Sequence, residues 1–132
     1  MSNRSGPHPA KFGKSSRLLK RSEFEHVYQA GRRHFSKNLT AFFLKREQTN
    51  QNRGPRVGFT VSRALGGAVE RNRIRRRMRE ATRLSLKTLP VPVDIVINPK
   101  RSVLNTQFST LADEVRRAFE AVLRSSSNGA KE

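Results

Sequence analysis

The sequence has no cysteine, no tryptophan and a single tyrosine, and only 10 acidic residues stand against 28 lysines and arginines in 132 residues. Without thiols, disulfide staples and thiolate metal sites are excluded, and a reducing compartment is expected, which places the chain in the cytoplasm. The three histidines, His8, His26 and His34, share no metal-ligand spacing. No run approaches the roughly 18 apolar residues of a spanning helix, and no basic segment has the Trp- and Leu-rich face of an interfacial one. The basic N-terminus carries no apolar stretch of the secretory type. Membrane is therefore not an expected partner. The acids are scattered too: Glu70 and Glu80 lie among arginines, Asp94 opens an apolar run as a strand-end or loop residue, and Asp113-Glu114 have no carboxylate near them in sequence. A protein that hydrolyses phosphodiesters itself needs clustered carboxylates for metals or a paired general acid and base. No catalytic residue and no metal ligand is assigned.

What the chain has in quantity is positive charge. A formal net charge of +18 is a self-repulsion that a polyanion relieves. Arginine outnumbers lysine, and its planar fork pairs with phosphate and stacks on bases as an ammonium cannot. Nucleic acid is the expected partner. The length suits one domain of ordinary size. Residues 1–16, with Pro7, Pro9, Gly6 and Gly13 and no acid, form an expected disordered basic arm; 17–124 form the domain and 125–132 a polar tail.

Periodicity divides the domain. Ser22 and Glu25 have the spacing of a capping box, Phe24, Val27 and Tyr28 share one helical face, and Gly31 offers a left-handed stop, so a first helix is expected over about 23–30. "KNLTAFFLK", residues 37–45, and "RVGFTVS", residues 56–62, alternate as strands and are expected to pair as a hairpin. A short extra strand is expected near residues 34–36. A long helix follows the Gly66-Gly67 break, over 68–86, and "VDIVIN", residues 93–98, is a strand between prolines. Phe108, Leu111, Val115, Ala118, Phe119 and Val122 mark a last helix over about 106–124. The order α-β-β-(β)-α-β-α predicts an α+β fold, a two-layer α/β sandwich with helices on a small mixed sheet.

The long helix concentrates the charge. "VERNRIRRRMRE", Val69 to Glu80, holds six arginines around apolar Ile74 and Met78. At 100° per residue Ile74, Met78 and Ala81 fall on one side, and Asn72, Arg76, Arg79 and Arg83 form the opposed stripe. A helix that is merely solvated mixes signs to gain i,i+4 pairs. Here two acids face seven arginines between Glu70 and Arg83, which points to an external anion.

"RVGFTVSRALGGAVERNRIRRRMRE", residues 56–80, resembles the signature of the protein subunit of bacterial ribonuclease P, with Arg71-Asn72-Arg73 as its hallmark. "RLLKRSEFEHVYQAGRR" is similar to that family's first helix and "VDIVINPK" to its late strand, so the likeness covers most of the chain. Relatives often have lysine where Arg75 stands, which preserves charge. The resemblance implies a left-handed crossover through the RNR helix, where right-handedness is the physical default. It implies an endoribonuclease whose catalyst is an RNA using Mg2+, with the protein helping to bind precursor tRNA through its 5′ leader; cleavage releases that leader. It implies RNA-subunit contacts from Arg71, Asn72, Arg73, Arg75, Arg76, Arg79 and Arg83. No separate protein partner is implied.

A single-stranded leader is held by aromatic platforms beside a basic groove. Phe24, Tyr28 and Phe42 match the positions that line the family's leader cleft, with Arg17, Arg32, Arg33 and Lys37 as phosphate partners at its edge. Spacing alone makes the aromatics core residues; with the resemblance, Tyr28 and Phe42 become stacking surfaces, Phe24 stays open to both, and Phe43 stays in the core. Two alternatives share the composition: a ribosomal or other structured-RNA-binding protein, and a DNA-binding module, which would need base-reading side chains on a helix beside a short turn.

Overall fold

The computed structural model describes residues 16–18, 20–46 and 54–127. The expected arm, apart from Ser16, and the tail beyond Ser127 lie outside the described residues. Helix α1 (Arg21–Ala30) leads into strands β1 (Arg32–Phe35), β2 (Leu39–Lys45) and β3 (Arg56–Phe59), then α2 (Ala68–Leu86), β4 (Val93–Pro99) and α3 (Phe108–Ser127). Short 3-10 turns at Arg63–Leu65 and Arg101–Leu104 precede α2 and α3. Ser125 to Ser127, expected in the tail, continue the last helix.

The sheet order is β1-β2-β4-β3. β2 pairs antiparallel with β1 and β4, while β3 pairs parallel with β4. The expected hairpin between β2 and β3 is thus not formed. β4 inserts between them, and the hairpin partner of β2 is the short strand β1. The reason is burial: β4 is covered on both faces, and Val93, Ile95, Val96 and Ile97 are each at most 2% exposed. Such a strand belongs at the centre of a sheet with both faces covered.

One face packs against α2 and α3 through Leu39, Ala41, Phe43, Ile95, Ile97, Ile74, Met78, Leu111, Val115 and Phe119. The other carries α1 on a smaller cluster of Leu18, Val27 and Val96, with Phe24, Phe42 and Leu44 against it. The side chains of β2 divide as the pleat requires, with Leu39, Ala41 and Phe43 buried and Thr40, Phe42 and Leu44 half-buried.

Local chemistry sets the ends of α1 differently from the expected capping box. The Lys20 amide donates to Glu23 Oε1 at 3.1 Å, two residues earlier than a Ser22–Glu25 pair. Gly31 is extended, with φ −86° and ψ 171°, rather than left-handed. Its need for glycine is closeness: a Cβ there would sit 2.5 Å from the Val27 carbonyl oxygen and 2.7 Å from that of Phe43. Among the described residues only Gly66, with φ 138°, takes a positive φ, at the turn into α2. Glu70 then accepts the Gly67 amide at 2.9 Å and starts that helix.

Two buried polar networks tie the layers. Asp94 of β4 accepts Arg46 at 2.7 Å and both Nε and a terminal nitrogen of Arg56 at 2.9 Å, and Arg56 also reaches Glu23 of α1 at 2.9 Å. Hydrogen bonding to Asp94 raises the Arg56 pKa above its ordinary value. At the opposite end, buried Glu114 of α3 accepts the Ser36 hydroxyl at 2.6 Å and the Asn38 amide at 2.9 Å, and it also takes the Asn38 side-chain amide. Asn38 Oδ1 in turn accepts Ser102 at 2.6 Å. The β1–β2 turn is fixed to α3 by these bonds.

Candidate nucleic-acid interface

Helix α2 buries Ile74, Met78, Ala81, Thr82 and Ser85 against the core. The opposite side carries Asn72, Arg73, Arg76 and Arg79, all exposed. None of Arg73, Arg76 and Arg79 forms an ion pair or hydrogen bond with the described residues, so their guanidinium groups face solvent with uncompensated charge. The other arginines differ. Arg71 is half-buried, and its Nε donates to the Gly66 carbonyl at 3.1 Å, bracing the turn. Arg75 donates to Asn72 Oδ1 at 2.9 Å, so the asparagine of the RNR motif orients an arginine one turn on. Arg83 is paired with Glu80, and hydrogen bonding to that carboxylate raises its pKa. Arg77, which the helical projection did not single out, is structural: Nε reaches the Val103 carbonyl at 3.0 Å and a terminal nitrogen reaches that of Thr106. It clamps α2 to the 3-10 turn before α3.

Around the outer edge of β3 the helix meets the α1 face. Arg17 forms a β-bridge with Val57, and the Leu18 amide donates to the Val57 carbonyl at 3.0 Å. A cleft of about 160 Å³ opens there, lined by Arg17, Phe24, Gly58, Phe59, Arg75 and Arg79. Among the described residues Arg17 Nε is buried with no hydrogen-bond partner. Glycine at position 58 is required by the Phe24 ring, since a Cβ would lie 2.4 Å from its Cζ. Phe24 is therefore a packed floor of the cleft rather than a free platform.

Farther along the same face stand Tyr28 and Phe42, edge to face, with ring centroids 4.9 Å apart and planes at 87°. Tyr28 is 37% exposed. Its hydroxyl donates to Asn98 Oδ1 at 2.8 Å and lies 2.7 Å from the Thr60 hydroxyl, so its ring is held by its polar end. The Arg33 guanidinium lies 5.9 Å from the Phe42 centroid. Lys37 is exposed in the β1–β2 turn. Arg32 stands opposite Phe43 in the register, so the alternation of β1 carries it to the α3 face, away from Arg33 and Phe42. Among the expected cleft residues it is the one the fold separates from the rest, because a single-residue step along a strand reverses the face. Phe35 is the residue the sequence reading missed. It shares the Arg33 face, and the i,i+2 spacing of Arg33 and Phe35 was the available signal.

The Ribonuclease P family model matches residues 12–123. The chain belongs to the ribonuclease P protein family. It is 40% identical over 108 residues to the ribonuclease P protein component of Citrifermentans bemidjiense, covering 82% of this chain and 89% of that one. With the same component of Carboxydothermus hydrogenoformans it shares 37% over 112 residues, 84% and 94% of the two chains. Among solved structures, the RNase P protein from Thermotoga maritima in complex with 1-(4-fluorophenyl)-2-thiourea has a TM-score of 0.68 at 24% identity, covering 78% of this chain and 96% of that one. A Staphylococcus aureus RNase P protein mutant with defective mRNA degradation activity has a TM-score of 0.70 at 20% identity, covering 83% and 89%. These structures share the fold, and the family membership rests on the sequence matches.

Ribonuclease P is a ribonucleoprotein endoribonuclease, and this chain is its protein component, with RNA as the partner. That removes the ribosomal and DNA-binding alternatives. No helix of the described residues is long and apolar enough to cross a membrane. Among the described residues no group of three or more His, Asp or Glu side chains is arranged to hold a metal ion. The carboxylates are committed elsewhere: Asp94 to two arginines, Glu114 to Asn38, and Asp113 to Arg116, whose hydrogen bond holds the Asp113 carboxyl below its ordinary range. Among the described residues the donor set does not fit a resident metal.

Proposed function

We propose that the exposed arginines of α2 hold the catalytic RNA by its phosphates, and that the Tyr28–Phe42 pair holds the 5′ leader of precursor tRNA. The carrying observation is the cleft over the β3 edge, whose lining includes Arg75 and Arg79 of α2, Arg17, and Phe24 of the α1 face. The cleft brings arginines of the α2 ridge to Phe24, which packs on the same cluster as Phe42 of the aromatic pair, and this suits a subunit that must touch enzyme RNA and substrate together. Arg33 and Lys37 supply charge at the leader's edge, and Asn72 acts through Arg75. The Mg2+ of the reaction is assigned to the RNA-containing holoenzyme, and the chain is placed in the cytoplasm, a reading its lack of thiols supports. The isolated protein is accordingly expected to release no leader from precursor tRNA in Mg2+ buffer; mature 5′ ends from an RNA-free preparation would overturn this division of labour.

Tyr28→Ala and Phe42→Ala test the leader site. Each is expected to weaken holoenzyme binding of precursor tRNA by about 1–3 kcal/mol, the range of one stacked base, and to leave mature tRNA binding near that of the parent. Tyr28→Phe keeps the ring but loses the bonds to Asn98 and Thr60, and should retain most of the affinity. Equal losses for both tRNAs, or a collapse of the melting temperature beside the loss, would return that ring to a purely structural role.

A further inference from the structure

The aromatic row does not stop at Phe42. On edge strand β1, Phe35 is 69% exposed and belongs to neither core cluster. Its register partner is Thr40, which puts its ring on the face of Phe42, one diagonal step away across the hairpin. Between the two rings lies Arg33, whose guanidinium carbon is 5.9 Å from the centroid of each. Helix α1 covers this face over Val27, Phe24, Phe42 and Leu44 and leaves Phe35 open. Folding therefore gains little from this phenylalanine, while leaving so large an apolar surface in water forgoes the gain of burying it.

We propose that Phe35 and Arg33 form a second stacking step for single-stranded RNA, next to the Tyr28–Phe42 step, so that two unpaired leader bases are held with the Arg33 guanidinium between their platforms. The inference rests on the leader reading above and adds to it a site on β1. A guanidinium can lie flat against aromatic faces and still present its N–H fork to a phosphate. A phenyl ring accepts any base by its π-face, so the step is tolerant of leader sequence.

The test uses the full chain reconstituted with its RNA subunit, and precursor tRNAs in which leader nucleotides are made abasic one at a time. Phe35→Ala is expected to raise the Kd for precursor tRNA roughly 5- to 30-fold, the lower half of the range for one stacked base. Mature tRNA affinity and the melting temperature stay at the parent's values, and Phe35→Tyr restores binding. In the parent, abasic sites at two separate places in the leader weaken binding. In Phe35→Ala one of these places becomes insensitive while the other keeps its effect, and Phe42→Ala shows the reverse. Phe35→Ala with unchanged precursor affinity, while Phe42→Ala loses it, would overturn the second step and leave the leader cleft standing. A Phe35→Ala loss shared by mature tRNA, or one that leaves every abasic effect intact, would likewise overturn it. If Phe42→Ala also fails to separate precursor from mature tRNA, the leader reading itself falls.

Discussion

Replacing Arg73, Arg76 and Arg79 together by alanine is expected to lower affinity for the RNA subunit about 100- to 1,000-fold at 0.1 M salt. Each phosphate contact contributes about 0.7–0.9 units to the slope of log affinity against log salt, so three lost contacts flatten that slope by about 2 to 3 units. Over the one decade of salt between 0.1 and 1 M, that slope is the stated loss. These three are chosen because their side chains are exposed and carry no intramolecular duty, whereas Arg71 braces Gly66 and Arg77 clamps the turn before α3. Alanine also favours the helix, so stability is expected to hold or rise as repulsion falls. The measurement is a binding titration at several salt concentrations beside a thermal melt. An unchanged slope would remove these arginines from the phosphate contacts, whatever happened to affinity at one salt.

Asp94→Ala is expected to cost about 3–5 kcal/mol of stability, the penalty for removing one partner of a buried ion pair. Asp94 is 7% exposed and accepts from both Arg46 and Arg56. Without it, two largely buried guanidinium groups lose their carboxylate on the strand at the centre of the sheet, and the Arg56–Glu23 link that pins α1 loses its anchor. For a domain of this size the loss corresponds to a melting temperature lower by roughly 10–25 °C. Asp113→Asn is the control, since its pairs with Arg116 and Arg117 lie on the surface of α3 and its melting temperature should stay near the parent's. A melting temperature for Asp94→Ala within a few degrees of the parent would show that the network is dispensable. Because α1 carries Tyr28, precursor tRNA binding should fall with α1 docking even where the fold survives.

Helix α3 was legible because its apolar residues repeat at helical spacing over about four turns, and α2 because residues 68–86 hold no proline or glycine after the Gly66-Gly67 break and place Ile74, Met78 and Ala81 on one side; α2 occupies residues 68–86 as expected. The family was legible in the arginine helix and the strand before it. The partnership of β2 was not. β2 and β3 each show strand patterning, and nothing local says that a third strand, distant in sequence, will come between them. Only the competition for burial decides that, and β4 takes the centre because both of its faces are covered, by the α2–α3 layer on one side and by α1 and the Asp94 ion-pair network on the other.

The same division runs through the interface. Composition and the 100° projection alone determine that this chain carries a one-signed cationic ridge on a helix with an apolar back, and so that it meets a polyanion. They cannot say which arginines the fold employs for itself. Arg71, Arg77 and Arg83 are set apart from Arg73, Arg76 and Arg79 by a carbonyl at a turn, two carbonyls brought from thirty residues away, and a neighbouring carboxylate. Register made the remaining choice. One residue along β1 sends Arg32 to the α3 face and Arg33 to the aromatic row, because side chains alternate along a strand and its pairing with β2 sets which alternate set meets Phe42.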